Sequence, residues 1–206
     1  MISPRAASIT VSAKLVLASA SPRRLQLLAQ AGIVPDTVIA PEIDEAVRKG
    51  ELPRVHALRL AREKLEAAAS RRSGDASYIL SADTVVACGR RILPKAETPE
   101  AVRECLEMLS GRRHQVITAV ALKPPAGKPV VKAALARVSF RRLSTAEIEA
   151  YVAGGEGLGK AGGYAIQGRA ETFVKEMCGA YSTVVGLPLM LTLGLLRGHG
   201  WRGGDG

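Results

Sequence analysis

Aromatic side chains are scarce in this sequence, with two Phe, one Trp and four Tyr among 206 residues. A binder of single-stranded nucleic acid needs stacking platforms, so the scarcity argues against that class and predicts an aliphatic core. Cysteine is scarce too: Cys88, Cys105 and Cys178 are odd in number and widely spaced. That excludes a disulfide scaffold and any CxxC metal or redox motif, and points to a reducing compartment, the cytoplasm. His56, His114 and His199 are as scattered, so no His/Cys zinc arrangement follows from them. Long apolar runs are missing. The most apolar stretch, residues 184–196, is broken by Gly186, Pro188, Thr192 and Gly194 and is shorter than the ~20 residues a membrane helix needs. After Lys14 the run Leu15-Val16-Leu17-Ala18 is too short for the apolar part of a secretory signal, about 7–15 residues. Residues 1–13 are read as a loose tail in preference to an organellar transit segment.

What the sequence has in excess is positive charge: 29 Lys and Arg against 19 Asp and Glu, a net +10. The partner or substrate is therefore expected to be an anion, although basicity alone does not choose between a polymer and a small phosphate. With 47% hydrophobic and 23% charged residues the composition is that of a folded chain, not a disordered one. No internal repeat or long linker is evident. The expected organisation is one domain over residues 14–197, between the tail 1–13 and a Gly-rich tail 198–206.

Strand-like and helix-like segments alternate, which predicts an α/β or mixed α+β fold. Leu15 to Ala18 reads as a strand, followed by a helix capped by Ser21 with Pro22 at its first position and Leu25, Leu28 and Ala29 inside. Residues 36–40 read as a second strand. Pro53 opens a long helix whose apolar stripe is Leu58, Ala61, Leu65 and Ala68, ending in the basic stretch 71–74. Residues 78–87 read as a buried strand. Thr98-Pro99 caps a helix with the stripe Val102, Cys105, Leu106 and Leu109. Residues 115–122 and 130–140 form paired strands around the loop 124–127. Ser144 and Glu147 make a capping box, a Gly-rich passage covers 154–168, and a last helix starts near Pro188.

Four features carry chemistry. Ser19-Ala20-Ser21-Pro22-Arg23-Arg24, between a strand and a helix, offers hydroxyls, guanidiniums and helix-start N–H groups to a phosphate; the plainer reading is a helix cap with two solvated arginines. It is not a Walker A loop. Asp83 interrupts an apolar strand, where a carboxylate is costly unless paired, metal-bound or catalytic; otherwise it reaches water at a strand end. The acidic turn Glu42-Ile43-Asp44-Glu45 has oxygen ligands for Mg²⁺ or is merely solvated. Among the lysines, Lys64 lies at the edge of the apolar stripe, Lys95 follows a strand-like run, and Lys160 sits among glycines. No Ser/His/Asp or Cys/His arrangement is apparent, so phosphate chemistry fits better than acyl transfer.

Several separated motifs together resemble the Maf family of nucleotide pyrophosphatases, also called septum-formation inhibitor Maf proteins. They are Leu17-Ala18-Ser19-Ala20-Ser21-Pro22-Arg23-Arg24, Ile43-Asp44-Glu45, Arg59-Leu60-Ala61-Arg62-Glu63-Lys64 and Ala82-Asp83-Thr84-Val85-Val86, then Leu109-Ser110-Gly111 with His114-Gln115-Val116. The stretches 160–168 and 185–189 complete the set. The resemblance implies a single elongated α/β domain with a central mixed sheet and a cleft, similar to the inosine-triphosphate pyrophosphatase architecture and often dimeric. It implies hydrolysis of a nucleoside triphosphate to the monophosphate and pyrophosphate with Mg²⁺ or Mn²⁺. Asp83 matches the proposed proton acceptor, and Ser19, Arg24, Lys64 and Lys95 match phosphate-site residues. Arg23, Thr84 and Gln167 match the Arg, Thr and Gln of members resembling dTTP/UTP pyrophosphatases, where a 7-methyl-GTP group has Trp, Gln and Glu. Asp44 and Glu45 are the expected metal ligands. Ala96 stands where the family usually has Pro, which predicts a less rigid loop after Lys95. A homodimer without stable nucleic-acid or membrane partners is expected. The competing class is a non-catalytic basic regulator of septum formation or a nucleic-acid binder.

Overall fold

The computed structural model describes residues 14–72 and 76–203. The N-terminal tail, the last part of the basic stretch after the long helix and the final three residues lie outside the described residues. One mixed sheet of seven strands organises the chain, in the order β2-β1-β3-β5-β6-β7 with β4 added to β3. β1 (Leu15–Ala18) pairs in parallel with β2 (Thr37–Ile39) and with β3 (Tyr78–Cys88). The remaining pairings, among β3, β4 (Arg91–Leu93), β5 (Arg113–Lys123), β6 (Val130–Phe140) and β7 (Val174–Cys178), are antiparallel.

Both faces of the centre are covered, which is why its strands read as apolar runs instead of alternating patterns. On one face α2 (Pro53–Ser70) lays Ala57, Ala61, Leu65 and Ala68 against Val16, Ile79, Val85 and Ile117. On the other, α1 (Pro22–Gln30) and α6 (Leu189–Gly198) bury Leu27, Leu28, Leu195 and Leu196 against Leu15, Leu17, Leu80 and Val120. A third cluster joins α3 (Pro99–Leu109), α4 (Thr145–Ala153) and a 3-10 turn (Arg169–Phe173) around Phe140, Tyr151 and Phe173. A five-residue helix, α5 (Tyr181–Val185), follows β7. No helix of the described residues is long and apolar enough to cross a membrane.

The α3 stripe is buried as its spacing predicts, and the Ser144–Glu147 capping box is formed in both directions. Three local expectations change. The inner face of α1 is Arg24, Leu27 and Leu28, while Ala29 is exposed. Ser21 occupies the cap position without a side-chain cap bond. The chain past Gly198 begins as part of the fold, since Gly198 closes α6 and Trp201 is buried beside Leu196.

Candidate active site

The site exists because β3 has a gap along one side. It pairs with β5 without interruption from Ile79 to Ala87. On its other side β1 accompanies it only to Ser81, and β4 only from Val86. Among the described residues no strand pairs with residues 82–85 on that side, and a cavity of about 530 Å³ opens there. Alternation along the strand sends neighbouring side chains to opposite faces. Asp83 therefore meets α2, and Thr84 meets α1 and the segment after α5.

Asp83 is 4% exposed, so water does not solvate it as it would a strand-end carboxylate. Its partner is Lys64, whose Nζ lies 2.6 Å from Asp83 Oδ1 and 2.7 Å from Glu45 Oε1. Lys64 occupies the turn of α2 next to Ala61, so its stem packs in the apolar stripe and its ammonium emerges at the β3 gap. Glu45 also receives Lys95, which closes a chain Asp83–Lys64–Glu45–Lys95. Burial pushes the Glu45 carboxyl up, but hydrogen bonds from Lys64 and Lys95 outweigh it and bring it from 4.5 to about 2.

Arg24 forms the opposite wall. Its Nε donates to Gly186 O at 2.8 Å, Nη1 to Ser19 Oγ at 2.8 Å, and Nη2 to Thr84 Oγ1 at 3.4 Å. Burial disfavours its charge, and Asp83 and Glu45 act against that. Ser19 Oγ accepts from Arg24 and from the Ser21 amide, which leaves its own proton to donate into the cavity. The approach of Arg24 and Thr84 requires glycine at 186. Its φ is +130°, and a Cβ there would lie 3.3 Å from Thr84 Oγ1.

A glycine-rich loop supplies the third wall, with Lys160, Tyr164, Ile166 and Gln167. It is stitched to the segment carrying Lys95: Ala96 N–H donates to Lys160 O, Gly159 N–H to Ala96 O, and Gly162 N–H to Pro94 O. Proline could not make the first of these bonds. Ala96 is thus fixed by backbone bonds on both sides, contrary to the expectation of a looser loop. Gly162 has φ +69°, and a Cβ there would lie 2.7 Å from Val86 Cγ1, so the loop reaches this depth only with glycine.

Ser19, Arg23, Arg24, Lys64, Asp83, Thr84, Lys95 and Gln167 all border this one cavity. Arg23 is half-buried, and burial disfavours its charge. Lys160 joins them, its charge disfavoured by burial and by Arg23. Five cations then face the two carboxylates Glu45 and Asp83, an excess suited to a polyphosphate. Asp44 departs from expectation. It is exposed, its Oδ1 accepts from the Ala46 amide at 2.9 Å, and it does not border the cavity, so its role is local to the turn.

Two groups escaped the sequence reading. Thr118, fully buried on β5, bonds Thr84 from behind. The signal was present, since Thr118 interrupts an apolar strand as Asp83 does. The second is Glu51, gripped by Arg59 at 2.7 and 2.9 Å while Arg59 also donates to Ala46 O, next to Glu45. Nothing in spacing joins a loop glutamate to an arginine eight residues on.

A family profile described as "Maf-like protein" matches residues 14–199. A protein of Gluconobacter oxydans named "dTTP/UTP pyrophosphatase" is 57% identical over 190 residues, covering 90% of this chain and 87% of that one. A protein of the same name from Caulobacter vibrioides is 56% identical over 188 residues, covering 91% and 96%. Among solved structures, the Staphylococcus aureus Ham1 protein aligns with a TM-score of 0.44 at 18% identity, over 62% of this chain and 71% of that one.

Proposed function

The chain belongs to the Maf-like protein family, and from that premise we propose that it hydrolyses dTTP and UTP to the monophosphate and pyrophosphate. The observation that carries the reading is the buried Lys64–Asp83 contact at the edge of a cavity rich in cations. Relatives at 57% and 56% identity that bear the name dTTP/UTP pyrophosphatase support it.

In this reading Arg24, Lys64, Lys95 and the Ser19 hydroxyl bind the triphosphate. Their charges stabilise the negative charge that grows on the leaving pyrophosphate. Asp83 takes a proton from water as the water oxygen bonds to the α-phosphorus. The bond from that phosphorus to the α–β bridging oxygen breaks, and pyrophosphate leaves. Lys64 holds the Asp83 carboxylate in place through its 2.6 Å contact.

A divalent cation fits the donor set. Glu45 offers two carboxylate oxygens at the cavity, which Lys64 and Lys95 meet in the structure. Mg²⁺ is bound by one or two carboxylates together with substrate phosphates, and Glu45 with the triphosphate would hold Mg²⁺ or Mn²⁺ here. When bound, the ion would supply neutralisation of phosphate charge.

In this reading Arg23, Thr84 and Gln167, which border the cavity, read the base. Thymine and uracil present one N–H between two carbonyls, and the Gln167 amide can both donate and accept. The test is to incubate the purified protein with each nucleoside triphosphate and Mg²⁺ and to measure pyrophosphate. Turnover of dTTP and UTP above the purine nucleotides is expected. No turnover with any of them, together with salt-sensitive DNA or RNA binding, overturns the reading.

A further inference from the structure

Of the five cations that border the cavity, three are already engaged by the chain itself. Lys64 holds Asp83 and Glu45, and Lys95 holds Glu45. Arg24 spends its guanidinium on Gly186 O, Ser19 and Thr84. Arg23 and Lys160 differ, since neither has a carboxylate partner among the described residues. Lys160 Nζ donates to Leu158 O at 3.2 Å, within its own turn, which leaves two of its three donors for a ligand. Burial disfavours its charge and Arg23 adds repulsion, so an anion placed there relieves both. The position of the loop says which part of a nucleotide this anion is. On one side the bridge between Lys95 and Ala161 and the bond from Ala96 N–H to Lys160 O hold Lys160 beside the segment of Lys95. On the other, the same loop runs on along the cavity wall to Gln167.

From this we propose that Lys160 is a substrate-binding residue for the α-phosphate, the phosphate at which the reaction takes place. The inference rests on the reading that Arg23 and Gln167 face the base and that Lys95 holds the outer phosphates. In a nucleoside triphosphate the α-phosphate is the one joined to the sugar, so it lies between those two ends, as Lys160 does. An ammonium on its non-bridging oxygens offsets the charge that repels an incoming water oxygen, and stabilises the charge carried through the transition state. The contact outlasts the reaction. Once pyrophosphate has left, the same oxygens belong to the monophosphate, so Lys160 holds that product and not the other.

The test measures inhibition of dTTP hydrolysis by thymidine, dTMP and pyrophosphate in the wild type, Lys160→Gln and Lys160→Arg. Lys160→Gln should raise the inhibition constant of dTMP about tenfold or more, the usual loss for a hydrogen bond to a charged group. Those of thymidine and pyrophosphate should stay as they are, and Lys160→Arg should keep dTMP binding near the wild type. A loss for pyrophosphate, alone or equal to that for dTMP, would place Lys160 on the outer phosphates or make its effect a diffuse one. A loss for thymidine would make it a base contact. Either result overturns the proposal, as does unchanged dTMP inhibition or a wild type that dTMP does not inhibit. If the wild type turns over no dTTP, the functional reading fails and the proposal with it; if it does and only the dTMP shift is missing, the proposal alone fails. Should the glutamine variant not fold, acetylation of the wild-type lysines, read by mass spectrometry, decides the matter. dTMP should shield Lys160 and pyrophosphate should not, and any other pattern overturns the assignment.

Discussion

Lys64 and Asp83 meet at 2.6 Å with side chains only 8% and 6% exposed, one from a helix and one from the unpaired stretch of a central strand. A buried pair of this kind is costly to break, because removing one partner strands the other's charge. Among the described residues, Lys64 is the one hydrogen-bond partner of the carboxylate proposed as the base. Asp83→Asn keeps the shape and removes the base. Turnover is expected to fall about 10²–10⁴-fold while circular dichroism shows a folded protein. Wild-type turnover in that variant would end the assignment.

Glu45 sets an acid limit on the site. Its carboxyl is held down at about 2 against an ordinary 4.5, so the folded state binds its proton less readily than the unfolded chain. A depressed carboxyl contributes stability that is fully present above pH 4.5 and is lost as pH falls toward 2. Glu45→Gln removes this contribution. Urea midpoints measured from pH 6 down to pH 3 should fall less steeply in the variant than in the wild type. Parallel curves would show that Lys64 and Lys95 do not hold Glu45 ionised in solution.

How far the site was legible depended on the scale of the interaction. Asp83 and Lys64 were visible because each breaks an apolar pattern, one in a strand and one beside a helix stripe. Their contact was not, since it depends on α2 crossing β3 at one particular height. The sheet centre was legible for the same reason as Asp83: residues 78–87, 115–122 and 130–140 carry runs too apolar for anything else. β4 and α5 were missed because three and five residues show no period. The placement of Asp44 was not legible, because an acidic turn looks the same whether its carboxylates face a cavity or, as Asp44 does, accept from their own backbone. Trp201 gave no sign of burial among glycines, as its partners lie on distant elements.

Gln167 stands on the exposed rim of the cavity, able to turn its amide toward a base. Gln167→Glu replaces a donor-and-acceptor group by an acceptor, which suits the adjacent N–H groups of guanine better than the carbonyls of uracil. kcat/KM for dTTP and UTP should therefore fall more than that for GTP. Equal losses on all three would mean that Gln167 does not read the base.

The Glu51–Arg59 clamp should matter for the loop that carries Glu45. Glu51 is 5% exposed in its side chain and receives Arg59, His56 and the Arg48 amide. Hydrogen bonds from Arg59, opposed by burial, hold its carboxyl well below the usual range. Glu51→Ala is expected to cost about 3 kcal/mol, the low end for breaking a buried pair, because Arg59 keeps Glu63 as a partner. With Ala46 less firmly held, KM for every nucleotide should rise together. Urea denaturation and steady-state kinetics on the variant check both; unchanged stability would show the clamp to be solvated.

His114 gives the last prediction, because it is a titratable group sealed into an apolar cluster beneath the cavity. It is 1% exposed, its ring meets Phe140 and Tyr164 edge-on at 5.0 and 5.4 Å, and Nε2 lies 2.8 Å from Tyr164 Oη. Burial pushes the imidazole from 6.5 down to about 4; the Arg112 backbone opposes this but makes no well-formed bond to Nδ1. His114 is thus neutral in the folded protein at pH 7. In the unfolded chain it takes up a proton near pH 6.5, so acid favours unfolding. The folded state keeps its full advantage above pH 6.5 and loses it progressively down to pH 4, by about 3 kcal/mol in all. His114→Gln can still bond Tyr164 but has no proton to gain. Urea unfolding at pH 7.5, 6, 5 and 4 should show the wild type weakening across this window and the variant much less so. The Glu45 effect lies lower, below pH 4.5, and is common to both proteins. Tyr164 borders the cavity, so protonating His114 also disturbs the cavity floor. Curves that run parallel from pH 7.5 to 4 would mean that the imidazole is charged, or reaches water, in the folded state.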